Sequence, residues 1–154
     1  MVDRVAVEKV VAKLLKPGGY KKSRSTWHRV LPETVLVVNI QGSEWGPSLY
    51  MNLGVYLRGL GEETSPPEYR CHLRTRLDRV VEHPSSLAAA LELHSDMPIS
   101  ERERIVADAL MRGLAWLGSR ETEAKARTAL LAEKAPAGLV TSIARRHLGI
   151  DGAG

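Results

Sequence analysis

The stretch from Thr34 to Leu57, TVLVVNIQGSEWGPSLYMNLGVYL, limits the fold more than any other part of the chain. Two alternating runs flank a short connection containing Gly46 and Pro47, which is the pattern of two antiparallel strands. A loop of Glu44, Trp45, Gly46 and Pro47 sets Ser43 opposite Ser48. Ile40 then faces Met51, Val38 faces Leu53 and Leu36 faces Val55. Side chains alternate with period two, so this register makes one face uniformly apolar: Leu36, Val38, Ile40, Leu49, Met51, Leu53, Val55 and Leu57. The other face carries Val35, Val37, Asn39, Gln41, Tyr50, Asn52, Gly54 and Tyr56. A slip of one residue would exchange the faces. Burying one Val or Leu contributes about 1.5–3 kcal/mol, so the slipped pairing is heavily disfavoured.

The flanking segments fit this pair. Residues 3–16 read as an amphipathic helix with Val7, Val10, Val11 and Leu14 in one stripe, Asp3 in its first turn and Lys13 and Lys16 in its last. Pro17, Gly18 and Gly19 end it. Tyr20–Leu31 reads as a hairpin arm turning at Ser23, Arg24 and Ser25. Pairing across Pro32-Glu33 sets Val30 against Val35, His28 against Val37 and Trp27 against Val38. After a Gly- and Pro-rich loop over 58–69, Arg70–Leu77 alternates as a last strand. Cys71, Leu73, Thr75 and Leu77 are expected on the apolar face, and His72, Arg74 and Arg76 on the polar one.

The second half reads as helical. Ser86–His94 is a short candidate helix. Ser100 with Glu103 suggests a capping box ahead of a stripe of Val106, Ala109, Leu110, Leu114 and Leu117, ended by Gly118. Ser119 is the expected cap of a further helix with Glu121–Lys125 and Glu123–Arg127 pairs. Pro136 is expected to start a last helix carrying Leu139, Val140, Ile143, Ala144 and Leu148. The order implies an α+β fold: an N-terminal helix, an antiparallel sheet of about four to five strands, and C-terminal helices packed on one sheet face. We expect a single domain over 1–154, with helix and sheet over 1–79, a helical cover over 80–150 and a frayed tail over 151–154.

The chain has no phenylalanine, so Val, Leu and Ile must fill the core, with Trp27, Trp45 and Trp116 as expected large fillers. The single cysteine, Cys71, excludes an intrachain disulfide and suits a reducing compartment. The N-terminal segment does not read as a secretory signal, and no apolar run approaches the length of a membrane span. A cytoplasmic protein without membrane association is the expectation.

Several residue series carry a family resemblance. They are Gly19-Tyr20-Lys21-Lys22 after the first helix, Trp27 in the next strand, Val38–Ser43, Met51–Tyr56 and Cys71–Leu77. Together they resemble the bacterial family catalogued as domain of unknown function 4304. The likeness is close over the first half and one of kind over the helical half. Tyr20 stands where the family often has phenylalanine. The resemblance implies a fold and no activity. Some small α+β families of this sort serve as immunity proteins beside bacterial toxins, an association at the level of fold.

Functional candidates gather on the polar sheet face: His28, Asn39, Gln41, Tyr50, Asn52, Tyr56, His72, Arg74 and Arg76. Amides and phenols offer directional hydrogen bonds, and guanidinium forks suit carboxylate or phosphate. A solvated polar face is the common state of an antiparallel sheet and accounts for most of these residues singly. Asn39 and Asn52 stand out, because asparagine is depleted in strands and this register sets the two opposite each other. Arg70, Arg74, Arg76 and Arg79, with Lys21, Lys22 and Arg24, could build a basic patch, although acids are interspersed and the formal charge is only +4. Cys71 and His72 are adjacent, so on a strand they point to opposite faces and form no catalytic pair. His28, His72, His83, His94 and His147 lack ligand spacing, so no metal or cofactor is expected. The first expectation is a non-catalytic protein that binds a protein or peptide partner through the polar face. Nucleic-acid or anion binding through the arginine-rich strand, and a small enzyme on the same face, are the alternatives.

Overall fold

The computed structural model describes residues 4–133 and 138–150. Asp3, Pro136 and the 151–154 tail therefore lie outside the described residues. The chain begins with α1 (Arg4–Leu15), followed by β1 (Lys21–Ser23), β2 (Thr26–Val30), β3 (Thr34–Gly42), β4 (Leu49–Leu57) and β5 (Leu73–Arg76). Helices α2 (Pro84–Ala90), α3 (Ile99–Gly118) and α4 (Glu123–Ala132) follow, then β6 (Leu139–Val140) and α5 (Ser142–His147). Among the described residues this is an α+β arrangement with one six-stranded antiparallel sheet in the order β1-β2-β3-β4-β5-β6.

The central register is the expected one. Leu36 pairs with Val55, Val38 with Leu53, Asn39 with Asn52 and Ile40 with Met51. Ser43 and Ser48 close the connection through a 2.8 Å backbone hydrogen bond. Trp27 pairs with Val38 and His28 with Val37, and Arg24 takes the left-handed conformation (φ 58°) in the β1–β2 turn. The apolar face lies under α1 and α3, whose Val7, Val11, Leu15, Val106, Leu110 and Leu117 join Leu36, Val38, Ile40, Met51, Leu53 and Val55 in one core. Trp27 is fully buried there, with the Lys22 ammonium over its ring at 5.5 Å.

The departures have local causes. The expected strand over Arg70–Leu77 shortens to Leu73–Arg76 because a 3-10 turn follows Pro67. Arg70 N–H and Cys71 N–H donate within it to the carbonyls of Pro67 and Glu68, both at 3.0 Å, and are lost to a ladder. Cys71 thereby leaves the alternation. It packs on the polar side with Val35, Val37 and Tyr56, a second small core. Leu139 and Val140 form β6 on the outer edge of β5 instead of joining a helix, and Thr141 N–H donates to the His72 carbonyl. The sheet thus gains a strand beyond the four to five expected.

Helix starts also differ. α3 begins at Ile99 behind Pro98, so Ser100 lies inside the helix and makes no capping box. Thr122, not Ser119, caps α4 by accepting from Lys125 N–H at 3.1 Å. Thr141 likewise caps α5. The Glu121–Lys125 pair forms at 2.6 Å, whereas Glu123 turns to His147 on α5 at 2.5 Å. Trp45 is no filler: it is 93% exposed at the β3–β4 tip.

Gly54 is where the 61–72 segment touches the sheet. A Cβ built there would lie 2.6 Å from Cys71 Sγ and 2.8 Å from Cys71 Cβ. Gly54→Ala should therefore destabilise the protein by about 1–3 kcal/mol, the usual cost of overpacking. Urea denaturation reads this directly. Adding Cys71→Ala should recover only part of the loss, since the contact with the Cβ remains.

Candidate functional site

The polar face is best followed as rows across the strands. One row runs Thr26, Asn39, Asn52, Arg76, and the next runs Lys21, His28, Val37, Gly54, Arg74, Leu139. On the hairpin-tip side of these lies Gln41 opposite Tyr50, and on the other side Val30, Val35 and Tyr56. Directly opposed side chains stand about 5 Å apart, so the first row is a contact chain, whereas Gly54 interrupts the second.

The 61–72 segment covers half of this face. His28 Nε2 donates to the Pro66 carbonyl at 2.7 Å, which holds the ring under the segment. Tyr56 is buried, and a Cβ on Gly61 would run into its hydroxyl, so the backbone passes directly against the phenol oxygen. His72 leans on Tyr56 with ring centroids 4.7 Å apart, and its Nδ1 accepts from Leu57 N–H at 2.9 Å. That bond leaves Nε2 to carry the proton of the neutral ring. Burial pushes the Cys71 thiol well above its usual range, with the Glu68 carboxylate adding to the shift, so Cys71 is held as the thiol. His28, Tyr56 and His72 therefore belong to a packed layer and not to an open surface.

The other half is open. Its floor is an amide network: Asn52 Nδ2 donates to Asn39 Oδ1 and to Gln41 Oε1, both at 3.0 Å. Asn39 Nδ2 donates in turn to Thr26 Oγ1 at 3.0 Å. Asn52 is only 6% exposed, so its amide is fixed and the network sets the orientation of Gln41 above it. Around this floor stand arginines. Arg76 lies over the Tyr50 ring at 4.4 Å. Arg74 makes a two-pronged contact with Glu68, at 2.9 and 3.2 Å, which raises its already high pKa. Arg4 crosses from α1 to donate to Ser25 Oγ and the Ile40 carbonyl, both at 2.7 Å.

Two shallow clefts of about 540 and 660 Å³ share Gln41, Glu68 and Arg74 and so run together across this half. Arg4, Arg24, Arg74, Arg76 and Arg79 line them, against the single carboxylate of Glu68. No carboxylate among the described residues comes within 4.0 Å of Arg24, Arg76 or Arg79. The structure thus joins Asn39, Gln41, Tyr50, Asn52, Arg74 and Arg76 and adds Arg4, Arg24 and Arg79. Arg24 and Arg79 were visible in the sequence as basic residues. Arg4 gave no sign, because its position depends on how α1 crosses the sheet end. Arg70 turns away to Glu63, and Lys22, paired with Trp27, sits on the helix side.

Among the described residues no group of three or more His, Cys, Asp and Glu is placed to hold a metal ion. No described helix is long and apolar enough to cross a membrane.

The family model described as a domain of unknown function (DUF4304) matches residues 11–117. The chain belongs to this family. The match contains β1–β5, α2, the last five residues of α1 and nearly all of α3, and so the whole amide floor. Arg4, α4, β6 and α5 fall outside it. No curated protein and no solved structure matches the chain. The match to DUF4304 names no activity, and the site is read from its own chemistry.

The covered half yields a pH dependence. Burial, and then the nearby His147, hold the His72 imidazole below the ordinary histidine value. The unfolded chain therefore takes up that proton first as pH falls. The stabilisation is present above the ordinary value of about 6.5 and is lost as pH drops through the folded value. Urea midpoints should fall from pH 7 towards pH 5. His72→Asn, which retains an acceptor for Leu57 N–H, should flatten that slope. An unchanged slope in the variant would place the proton uptake elsewhere.

Proposed function

We propose that the protein is a non-catalytic binding protein that receives an acidic segment of a protein partner on the uncovered half of its polar sheet face. The excess of arginine over carboxylate in the joined clefts carries this reading: Arg74 engages Glu68 and Arg4 pairs with Glu8, which leaves Arg24, Arg76 and Arg79 with no carboxylate within 4.0 Å among the described residues. Guanidinium forks match carboxylates in a planar, two-pronged geometry. The fixed amide floor adds neutral donors and acceptors for a peptide backbone. The clefts are shallow and span several strands, which suits an extended segment better than a small molecule enclosed in a pocket. A catalytic alternative would draw on Glu68, and its bond to Arg74 favours binding over chemistry.

A nucleic-acid reading has its own support. Tyr69 is 68% exposed on the rim of one cleft, and Arg76 is stacked on Tyr50. Basic grooves with exposed aromatic rings suit single-stranded nucleic acid. The two readings separate in one measurement. Fluorescence anisotropy with a labelled Glu/Asp-rich peptide should show binding that weakens as salt rises. Arg74→Ala/Arg76→Ala should weaken it by about tenfold or more, a loss of roughly 1.4 kcal/mol or greater. Stronger binding of single-stranded oligonucleotides under the same conditions would favour the second reading. Equal affinity of wild type and variant for both probes would remove the face from consideration.

A further inference from the structure

The indole of Trp45 is the largest apolar group that the described chain leaves in water, at 93% exposure. A single exposed apolar side chain needs no explanation by itself. The loop that carries it does. Ser43 Oγ accepts from Trp45 N–H at 3.1 Å, and Ser43 N–H donates to the Ser48 carbonyl at 2.8 Å. On the far side, Leu93 N–H donates to the Pro47 carbonyl and Leu49 N–H to the Leu91 carbonyl, both at 3.0 Å. Ser48 Oγ donates to Glu92 Oε2 at 2.7 Å. The 91–93 stretch thus runs beside the start of β4 like a short extra strand.

That stretch is itself held from below. Arg102, on the first turn of α3, is 2% exposed. Its guanidinium donates to the carbonyls of Ala90, Glu92 and Ser95 and to Ser95 Oγ. A buried cation therefore fixes the segment that fixes the Trp45 loop. Trp45 is displayed on a braced support, so a partner burying it would lose little loop entropy on binding.

The position matters as much as the rigidity. Gly42 and Gln41 line the end of one basic cleft, and Trp45 follows Gly42 by three residues, within about 11 Å of extended chain. Interface energy concentrates in aromatic anchors, tryptophan foremost, with charged contacts around them. From this we infer that Trp45 is the apolar anchor of the partner-binding surface. The occupant is a protein segment with an acidic run for the Arg24/Arg74/Arg76/Arg79 cleft and an apolar residue that packs on the indole. The inference rests on the proposed function and gives its partner a second chemical requirement.

The test is selection of short random peptides displayed on phage against the immobilised full chain. The affinities of the selected peptides are then measured on wild type, Trp45→Ala, Trp45→Phe and Arg74→Ala/Arg76→Ala. The expected peptides combine acidic residues with an apolar one. They should lose about thirtyfold in affinity on Trp45→Ala, the loss typical of a hot-spot truncation, and less on Trp45→Phe. Peptides that need the arginines but bind Trp45→Ala as well as wild type overturn the anchor and leave the basic face standing. Selection of no acidic peptide, with oligothymidylate quenching the indole fluorescence, overturns the protein partner in favour of nucleic acid. If neither peptide nor oligothymidylate binds, the proposed function fails and the inference fails with it.

Discussion

The pairing of β3 with β4 in one register is the constraint on which the rest depends. It puts eight apolar side chains on one face, and α1 and α3 have somewhere to dock only because that face is continuous. The same register sets Asn39 against Asn52 and Gln41 against Tyr50, so the amide floor is a by-product of core formation. Shifting the ladder by one residue would bury the amides and expose Leu36, Val38 and Ile40, which is unfavourable on both counts. Core and candidate site are two sides of a single alignment.

The sheet's reverse side shows how one strand pair can serve two purposes. Towards the Thr34 end its residues are Val35, Val37, Gly54 and Tyr56, and the 61–72 segment packs on them. Towards the hairpin tip they are Asn39, Gln41, Tyr50 and Asn52, which the 61–72 segment leaves to side chains alone: Gln41 bonds to the buried Asn52 amide and Arg76 lies over Tyr50. The composition changes along the strands at the place where the cover stops. The sealed half is the apolar one, so its cover follows from burial of Val35, Val37 and Tyr56.

What could be read from the sequence was what period two governs. The strands from Thr26 to Leu57, their partners and the apolar stripe of α3 follow from alternation and helical spacing alone. What escaped it was decided by contacts distant in sequence. Cys71 left its expected face because a local 3-10 turn after Pro67 took up the hydrogen bonds a strand would have used. Leu139 and Val140 became an edge strand because β5 offered an unpaired edge, a fact invisible from their own spacing. Arg4 joined the site through the crossing of α1, and Trp45 left the core because its loop is tied outward to residues 91–93. Of the nine polar-face candidates, six gather around the amide network and the two clefts, with Asn52 buried at its centre. The other three, His28, Tyr56 and His72, pack with a segment whose path the sequence could not supply.

Arg102 has a further consequence. Its guanidinium gathers carbonyls from the end of α2 and the turn that follows, while its own helix lies across the sheet. Docking of α3 and closure of the 90–95 turn are therefore linked through one side chain, and the β3–β4 tip is bonded to that turn. With the helix seated, opening the 90–95 turn would strand a cation in the interior. Surface order at Trp45 is in this sense a readout of whether the helical layer is in place, and a partner that grips the tip would sense the integrity of the whole fold.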